Sequence, residues 1–364
     1  MNRAVIVKAK RTVIGKKGGI LKEYFPEQLA AFVIEELSKD LHEEPDEVLL
    51  GNAVGPGGNL GRLSALESDL PVSVPGITID RQCGSGLEAI RLACYLIQGG
   101  AGEIYIAGGV ESSSLSPFDQ RSRFSPERIG DPDMGVAAEN VAKKYRISRS
   151  MQDEFALLSY KRAVESVKKG YFSEEIVPIS NLPLNDEGIN LKMNYERLLR
   201  RLSPCFKKNG TVTSGNCCGI NDGAAAVLVM SEDKARELGY KPILRFVDSI
   251  VTGVDPNYPG IGPIPAVSKL LSRNSLSIFD IDLIELNEAF ASKVVACARG
   301  LSIPYEKLNV EGGAIAFGHP YGASGAILVT RLFYEVQRYQ VNYMISTIGI
   351  GGGIGMAVLW ETIA

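Results

Sequence analysis

Two stretches far apart in the chain follow one plan. Residues 75–109 read PGITIDRQCGSGLEAIRLACYLIQGGAGEIYIAGG, and residues 307–352 read KLNVEGGAIAFGHPYGASGAILVTRLFYEVQRYQVNYMISTIGIGG. Ser85-Gly86 aligns with Ser324-Gly325 at an offset of 239, and each pair opens an apolar helical run. A strand then resumes at the same distance, because Ile104 and Tyr343 both lie 18 residues past the glycine. Strand, small-residue turn, helix and strand therefore occur twice. A chain that repeats such a unit is built from two similar halves.

The rest of the chain is compatible with that plan. AVIVKA (4–9), EVLLGNAV (47–54), GITID (76–80), EIYIAGGV (103–110), DIDLIELNEAF (280–290) and NYMISTIGI (342–350) read as buried strands. PEQLAAFVIEELSKDL (26–41) has helical spacing, with proline in its first turn. Strands that alternate with helices predict an α/β fold with covered sheets. At 364 residues and 45% hydrophobic content, the chain has ample core for two or three domains.

Between the repeats the texture changes. SSSLSPFDQRSRFSPERIGDPD (112–133) is polar and turn-rich; helical segments follow at 136–145 and 150–168, then an irregular stretch to about 210. Residues 114–221 carry 17 Lys/Arg against 13 Asp/Glu, while the remainder is acidic. Such an insertion suits an anion, or is an ordinary solvated surface. The overall charge of −3 gives no basis for nucleic-acid binding. No apolar run is long enough for a membrane span, and the first residues do not read as a signal peptide. The six cysteines lack a CxxC pair, so we expect free thiols, a reducing cytoplasm and no metal site.

Four features bear on chemistry. Cys83 precedes a helix, where the dipole and free N–H groups are expected to lower a thiol pKa. It reads either as a nucleophile or as a small buried hydrophobe. His319, among the glycines of GGAIAFGHPYGASG, is the only imidazole placed to take its proton, since His42 in DLHEEPDE reads as surface. The duplicated turns would bring Cys83 and His319 together if the halves face one another. Asn287 in IELNEAF either caps a helix or holds a water or an oxyanion. IGIGGGIG (348–355) fails as a dinucleotide fingerprint, because only nine residues follow it and MAVLW reads as a strand. Its glycines more plausibly present backbone N–H groups to a reacting atom.

Taken in order, RTVIGKKGG, DRQCGSGLEAI, IAGGVES, MGVAAENVAKKY, QDEFALLS, GTVTSGN, NDGAAAVL, GVDPNYPGIGPIPA, LNEAF and GGAIAFGHPYGASGA resemble the thiolase family of acyl-CoA C-acyltransferases over nearly the whole chain. The resemblance implies a thiolase fold: two βαβαβαββ halves in a five-layer αβαβα arrangement. The N-terminal half would comprise 1–113 plus 222–242, the inserted loop domain 114–221 and the C-terminal half 243–364. It implies that Cys83 is acylated by an acyl-CoA and that His319 activates it. His319 with an Asn287-held water would form one oxyanion hole, and the N–H groups of Cys83 and Gly351 another. Met134, Cys218, Gly219 and Phe290 would line the coenzyme A site, with Met134 at the pantetheine. Coenzyme A thioesters would be substrates, no cofactor would be held permanently, and the assembly would be a homodimer, with a homotetramer as the alternative.

The chain departs from the family pattern at several points. The usual CxGGG motif reads GIGGG, so Gly349 stands where members carry a second catalytic cysteine that acts as a base. Cys218 matches a family serine. Ala289 and Phe290 rule out the thiol that one branch draws from the motif around Asn287. Pro259 replaces a frequent pocket methionine, and the insertion is short between Pro117 and Met134. Three activities follow as expectations: formation or cleavage of a 3-oxoacyl-CoA; decarboxylative condensation or acyl-CoA hydrolysis; and acyl-CoA binding by a catalytically weak scaffold.

Overall fold

The computed structural model describes residues 2–116 and 121–363; the turn-rich stretch expected at 112–133 therefore lies outside the described residues at 117–120. The strands are β1 (Ala4–Arg11), β2 (Gly15–Lys16), β3 (Glu47–Gly51), β4 (Gly76–Ile79), β5 (Ile104–Ser112), β6 (Asn221–Ser231), β7 (Leu244–Gly253), β8 (Leu283–Leu286), β9 (Tyr343–Ile350) and β10 (Ile354–Thr362). The helices of the first half are α1 (Pro26–Ser38), α2 (Leu60–Glu67) and α3 (Ser85–Gln98). The middle of the chain forms α4 (Met134–Lys144), α5 (Arg149–Lys168), α6 (Tyr195–Arg201) and α7 (Glu232–Glu237). The last part forms α8 (Pro263–Arg273), α9 (Ala291–Leu301), α10 (Ala314–Phe317) and α11 (Tyr321–Arg338).

The strand order is β4-β3-β5-β6-β1-β7-β10-β9-β8, with β2 paired to β6. In the first half β3 runs parallel to β4 and β5, while β5–β6 and β6–β1 are antiparallel. The second half repeats this arrangement: β8 is parallel to β9, β9–β10 and β10–β7 are antiparallel, and Leu308 pairs in parallel with Ile284 where β4 stands in the first half. The halves join where Val5 and Ile6 of β1 pair with Arg245 and Leu244 of β7.

Side-chain alternation along these strands creates the layers. Ala4 and Ile6 of β1 enter a central core with α3 and α11; Val5 and Val7 point the other way, toward α1. In β10, Met356, Val358 and Trp360 face the central core, and Ala357 and Leu359 face α8 and α9. The β1–β7 join makes one ten-stranded sheet of the two halves; α3 and α11 share the central core, while α1 and α2 cover the other face of the first half and α8 and α9 that of the second.

The paired small residues explain how the middle layer closes. A Cβ on Gly86 would lie 2.6 Å from the Gly322 carbonyl oxygen, and one on Gly325 would lie 2.5 Å from the Leu87 nitrogen. The two repeats thus meet backbone to backbone at their small residues. Ser85 opens α3 as expected, but α11 begins earlier, at Tyr321. Pro320 has a φ already suited to a helix, so the helix starts directly after it and Ser324-Gly325 falls inside the helix.

Other boundaries shift for local reasons. The strand expected over 280–290 is limited to Leu283–Leu286; Asn287 N–H still donates to Thr347 at 3.1 Å, after which the Glu288 side chain turns to Ser159 and Asn309. The stretch expected to be irregular contains α6, whose N-terminus is capped by the Asn194 side chain. This insertion is anchored by buried charge. Arg11 donates to Glu175 and Asp186, both at 2.7 Å, and Arg331 of α11 lies 3.3 Å from the same Glu175.

Candidate active site

Cys83 sits in the tight turn from β4 into α3. Gln82 before it adopts φ of 49°, a left-handed conformation uncommon for a side-chain-bearing residue. Local bonds hold that turn. Asp80 accepts the Gln82 N–H at 2.7 Å, and Ser85 Oγ accepts the Arg81 N–H at 2.8 Å while donating to the Gln82 carbonyl at 2.6 Å. The thiol is thereby presented at one fixed place, with the Gly351 N–H directed at its sulfur.

The expected lowering of the Cys83 pKa is corrected. Burial pushes the thiol up to about 11; Lys293 and the N–H groups of Cys83 and Gly351 work against the rise, and Glu111 adds to it. The helix terminus offers little relief, because its leading N–H groups are already spent. Gly84 N–H donates to Arg81 and Ser85 N–H to Gln82, both at 3.0 Å.

His319 precedes α11 and is 2% exposed. Its backbone N–H donates to Asn221 Oδ1 at 3.0 Å, and its Nδ1 bonds Ser324 Oγ at 2.6 Å. Its Nε2 is a buried atom with no hydrogen-bond partner. Burial, helped by the charge of Lys293, lowers the imidazole pKa to about 3, so the ring is neutral at working pH. Asn287 Nδ2 lies 3.4 Å from Nδ1. Its side chain therefore faces the imidazole; α9 has Phe290 at its N-cap and takes no side-chain cap from Asn287.

The residues expected to line the coenzyme A site also converge. Met134, at the start of α4, packs with Ala138, Val212, Cys217, Ala289 and Phe290. Cys217 bridges to Phe290, and the Cys218 N–H donates to the Ala289 carbonyl at 3.0 Å. Burial raises the Cys218 thiol well above its ordinary range, and Cys217 and Cys83 add to the rise, so Cys218 borders the nucleophile. Gly219 follows at the exposed edge. Among the described residues, no group of three His, Cys, Asp or Glu side chains is arranged to hold a metal ion.

Two site residues were not singled out in the sequence. Glu111 of β5 accepts from Asn52 and from the N–H groups of Ala53, Val54 and Gly322, and burial raises it to about 7. It braces the start of α11 against the first half. Lys293 lies in the first turn of α9, only 6% exposed, with its ammonium 4.6 Å from the Phe290 ring centroid. The available signal was a single lysine in the otherwise apolar ASKVVAC, six residues after Asn287.

Residues 4–233 match the family described as thiolase, N-terminal domain, and residues 240–362 match thiolase, C-terminal domain. The chain belongs to the thiolase family and is an acyltransferase. It is 56% identical over 363 residues to the Bacillus subtilis protein named "Putative acetyl-CoA C-acetyltransferase YhfS", covering 99% of this chain and 100% of that one. It is 49% identical over 382 residues to "Putative acetyl-CoA C-acetyltransferase VraB" of Staphylococcus aureus, covering 99% of each. Among solved structures, the Bacillus anthracis acetyl-CoA acetyltransferase superposes with a TM-score of 0.94 at 38% identity, covering 100% of this chain and 99% of that chain. Human mitochondrial 3-ketoacyl-CoA thiolase in complex with CoA superposes at 0.93 and 36%, covering 100% and 98%.

Proposed function

We propose that this protein forms or cleaves a 3-oxoacyl-CoA through an acyl group carried on Cys83. One observation carries the reading: a thiol on a rigid turn, with the Gly351 N–H aimed at its sulfur, feels the charge of the same Lys293 as a neutral imidazole whose Nε2 is unused.

A thiol with a pKa near 11 is protonated at neutral pH. Its proton leaves as the thioester carbonyl is attacked, with His319 Nε2 accepting it and then returning it to the departing coenzyme A sulfur. The carbonyl oxygen gains charge at that moment. The N–H groups of Cys83 and Gly351 stabilise it, and His319 with an Asn287-held water serves the second carbonyl. Met134, Cys218, Gly219 and Phe290 border the coenzyme A thioester, the one ligand class the reading requires. Gly349 replaces the second catalytic cysteine of the family.

The segments 1–113 plus 222–242, 114–221 and 243–364 act as two catalytic halves and a substrate-holding insertion. The assembly is a homodimer built on β4, the edge strand of the first half, where Ile77 is 40% exposed beside Leu63 and Leu66. The free state of all six cysteines supports a cytoplasmic location. Among the described residues, no helix is long and apolar enough to cross a membrane.

The test is thiolysis. Wild type given acetoacetyl-CoA and CoA should release acetyl-CoA, with the rate lost in Cys83→Ala. Equal rates in the two proteins would overturn the reading.

A further inference from the structure

The acyltransfer reading leaves one step without an agent. Condensation requires a proton to leave the α-carbon of a second acyl-CoA, and Gly349 has no side chain to take it. Lys293 packs on Gly260, the residue that a side chain at position 349 would meet. A Cβ built on Gly349 would lie 3.3 Å from the Gly260 Cα, and a Cβ built on Gly260 would collide with Cγ and Cδ of Lys293 at 2.2 Å. The lysine stem therefore runs across Gly260, whose backbone also packs against Gly349. Beyond the stem, the charge of the amine is felt by Cys83 and by His319.

A buried ammonium normally has a carboxylate partner. Among the described residues Lys293 forms no ion pair and no hydrogen bond to a side chain; its one close partner is the Phe290 ring. The groups acting on it are Cys83 from the turn before α3, Cys218 from the loop before β6 and Cys297 one turn further along α9. His319 feels it from the loop before α11. A structural lysine would be paired or would reach solvent. This one is only 6% exposed, and the thiols of Cys83, Cys218 and Cys297 are the groups that favour its charge.

On these grounds we infer that Lys293 is the general base of the condensation half-reaction, in place of the thiol absent at position 349. The inference rests on the acyl-Cys83 reading. The neutral amine takes the α-proton of the second acyl-CoA: the C–H bond breaks and an N–H bond forms. The carbanion attacks the Cys83 acyl carbonyl, making the C–C bond. The C–S bond to Cys83 breaks, and the ammonium returns its proton to the thiolate. Two acyl-CoA molecules give one 3-oxoacyl-CoA and one CoA, with no net gain or loss of protons by the protein. The acid–base scale fits. Burial lowers Lys293 to about 8, close to the ~8.5 of an ordinary thiol. The thiol of Cys83, at about 11, readily recovers the proton.

The test uses acetyl-CoA in deuterated buffer with wild type, Lys293→Gln and Lys293→Arg. Intact mass reports acetylation of Cys83, and the mass of recovered acetyl-CoA reports exchange of its methyl protons. All three proteins should be acetylated, which also certifies a folded site. Wild type should exchange and condense, with a rate that rises with pH along a limb centred near 8. Both variants should lose exchange by ~10²-fold or more and lose that limb. Undiminished exchange in an acetylated Lys293→Gln would overturn this inference alone. Loss of acetylation in both variants would assign the lysine to activation of Cys83 and overturn it as well. Release of CO₂ from malonyl-CoA by a wild type that never exchanges acetyl protons would assign the lysine to a carboxylate, with the same consequence. No adduct on wild type would overturn the acyl-cysteine reading together with this inference.

Discussion

Lys293 shows at the scale of one residue how a site costs stability. Its folded pKa, about 8, lies below the ordinary 10.5, so the native state is penalised for carrying the charge. Below pH 8 the amine is protonated both folded and unfolded, and the full penalty applies. Between 8 and 10.5 the folded protein sheds the proton while the unfolded chain keeps it, and stability rises with pH. Above 10.5 the penalty is gone. At ~1.36 kcal/mol per pH unit it amounts to about 3 kcal/mol. Lys293→Met, of similar volume and without charge, should therefore raise the unfolding free energy at pH 7 by up to that amount. The gain should fade as pH climbs through the 8 to 10.5 window in denaturant titrations. A gain that persists unchanged at pH 11 would show that packing, not charge, was relieved.

The same residue marks where reading the sequence stops. Cys83 and His319 were legible because each is a rare, reactive residue set among glycines. Asn287 was legible only as a choice between cap and catalytic amide; the fold removes the cap and brings the amide within 3.4 Å of His319 across 32 residues of chain. Lys293 and Glu111 were not singled out, since a charged residue in a run normally signals a solvated face. Only the fold buries them. The direction of the Cys83 shift was misread for a related reason: a helix terminus is a local feature, and desolvation is not.

Among the elements, α3 and α11 matter most, because their N-terminal turns bring the two reactive loops together. Repeat spacing alone revealed both helices, and it placed the strands after them correctly at Ile104 and Tyr343. It could not reveal that proline starts α11 early, nor single out β6, whose NDGAAAVLVMS lacks the alternation that separates strand from helix. The closeness of the helices gives a direct test. Gly325→Val places branched carbon against the Leu87 backbone, which has little room to retreat. Overpacking of this kind costs ~1–3 kcal/mol. The melting temperature should fall by several degrees, and turnover should fall more than stability accounts for, because Cys83 and His319 move apart. Wild-type melting and turnover would show that the helices do not meet at this glycine.

At the scale of the whole molecule, duplication supplies the sheets and the insertion is fastened by charge. Arg331, fully buried in α11, lies near Glu175, Glu285, Glu311 and Glu335, joining inserted segment to C-terminal half. Truncating one member would strand the others without compensation. The exposed edge at β4 leads straight into the Cys83 turn, so dimerisation would also steady the nucleophile. Sedimentation should give twice the chain mass for wild type and a lighter species for Ile77→Arg; a wild-type monomer would refute the dimer.

The acyl-cysteine itself is best tested by rapid quench of wild type with acetyl-CoA, followed by peptide mapping of the modified protein. The account predicts one acetyl group, carried by the peptide that contains Cys83 and absent when Cys83 is alanine. An unmodified protein, or an acetyl group resident on Cys218 or Lys293 with Cys83 free throughout, would contradict it.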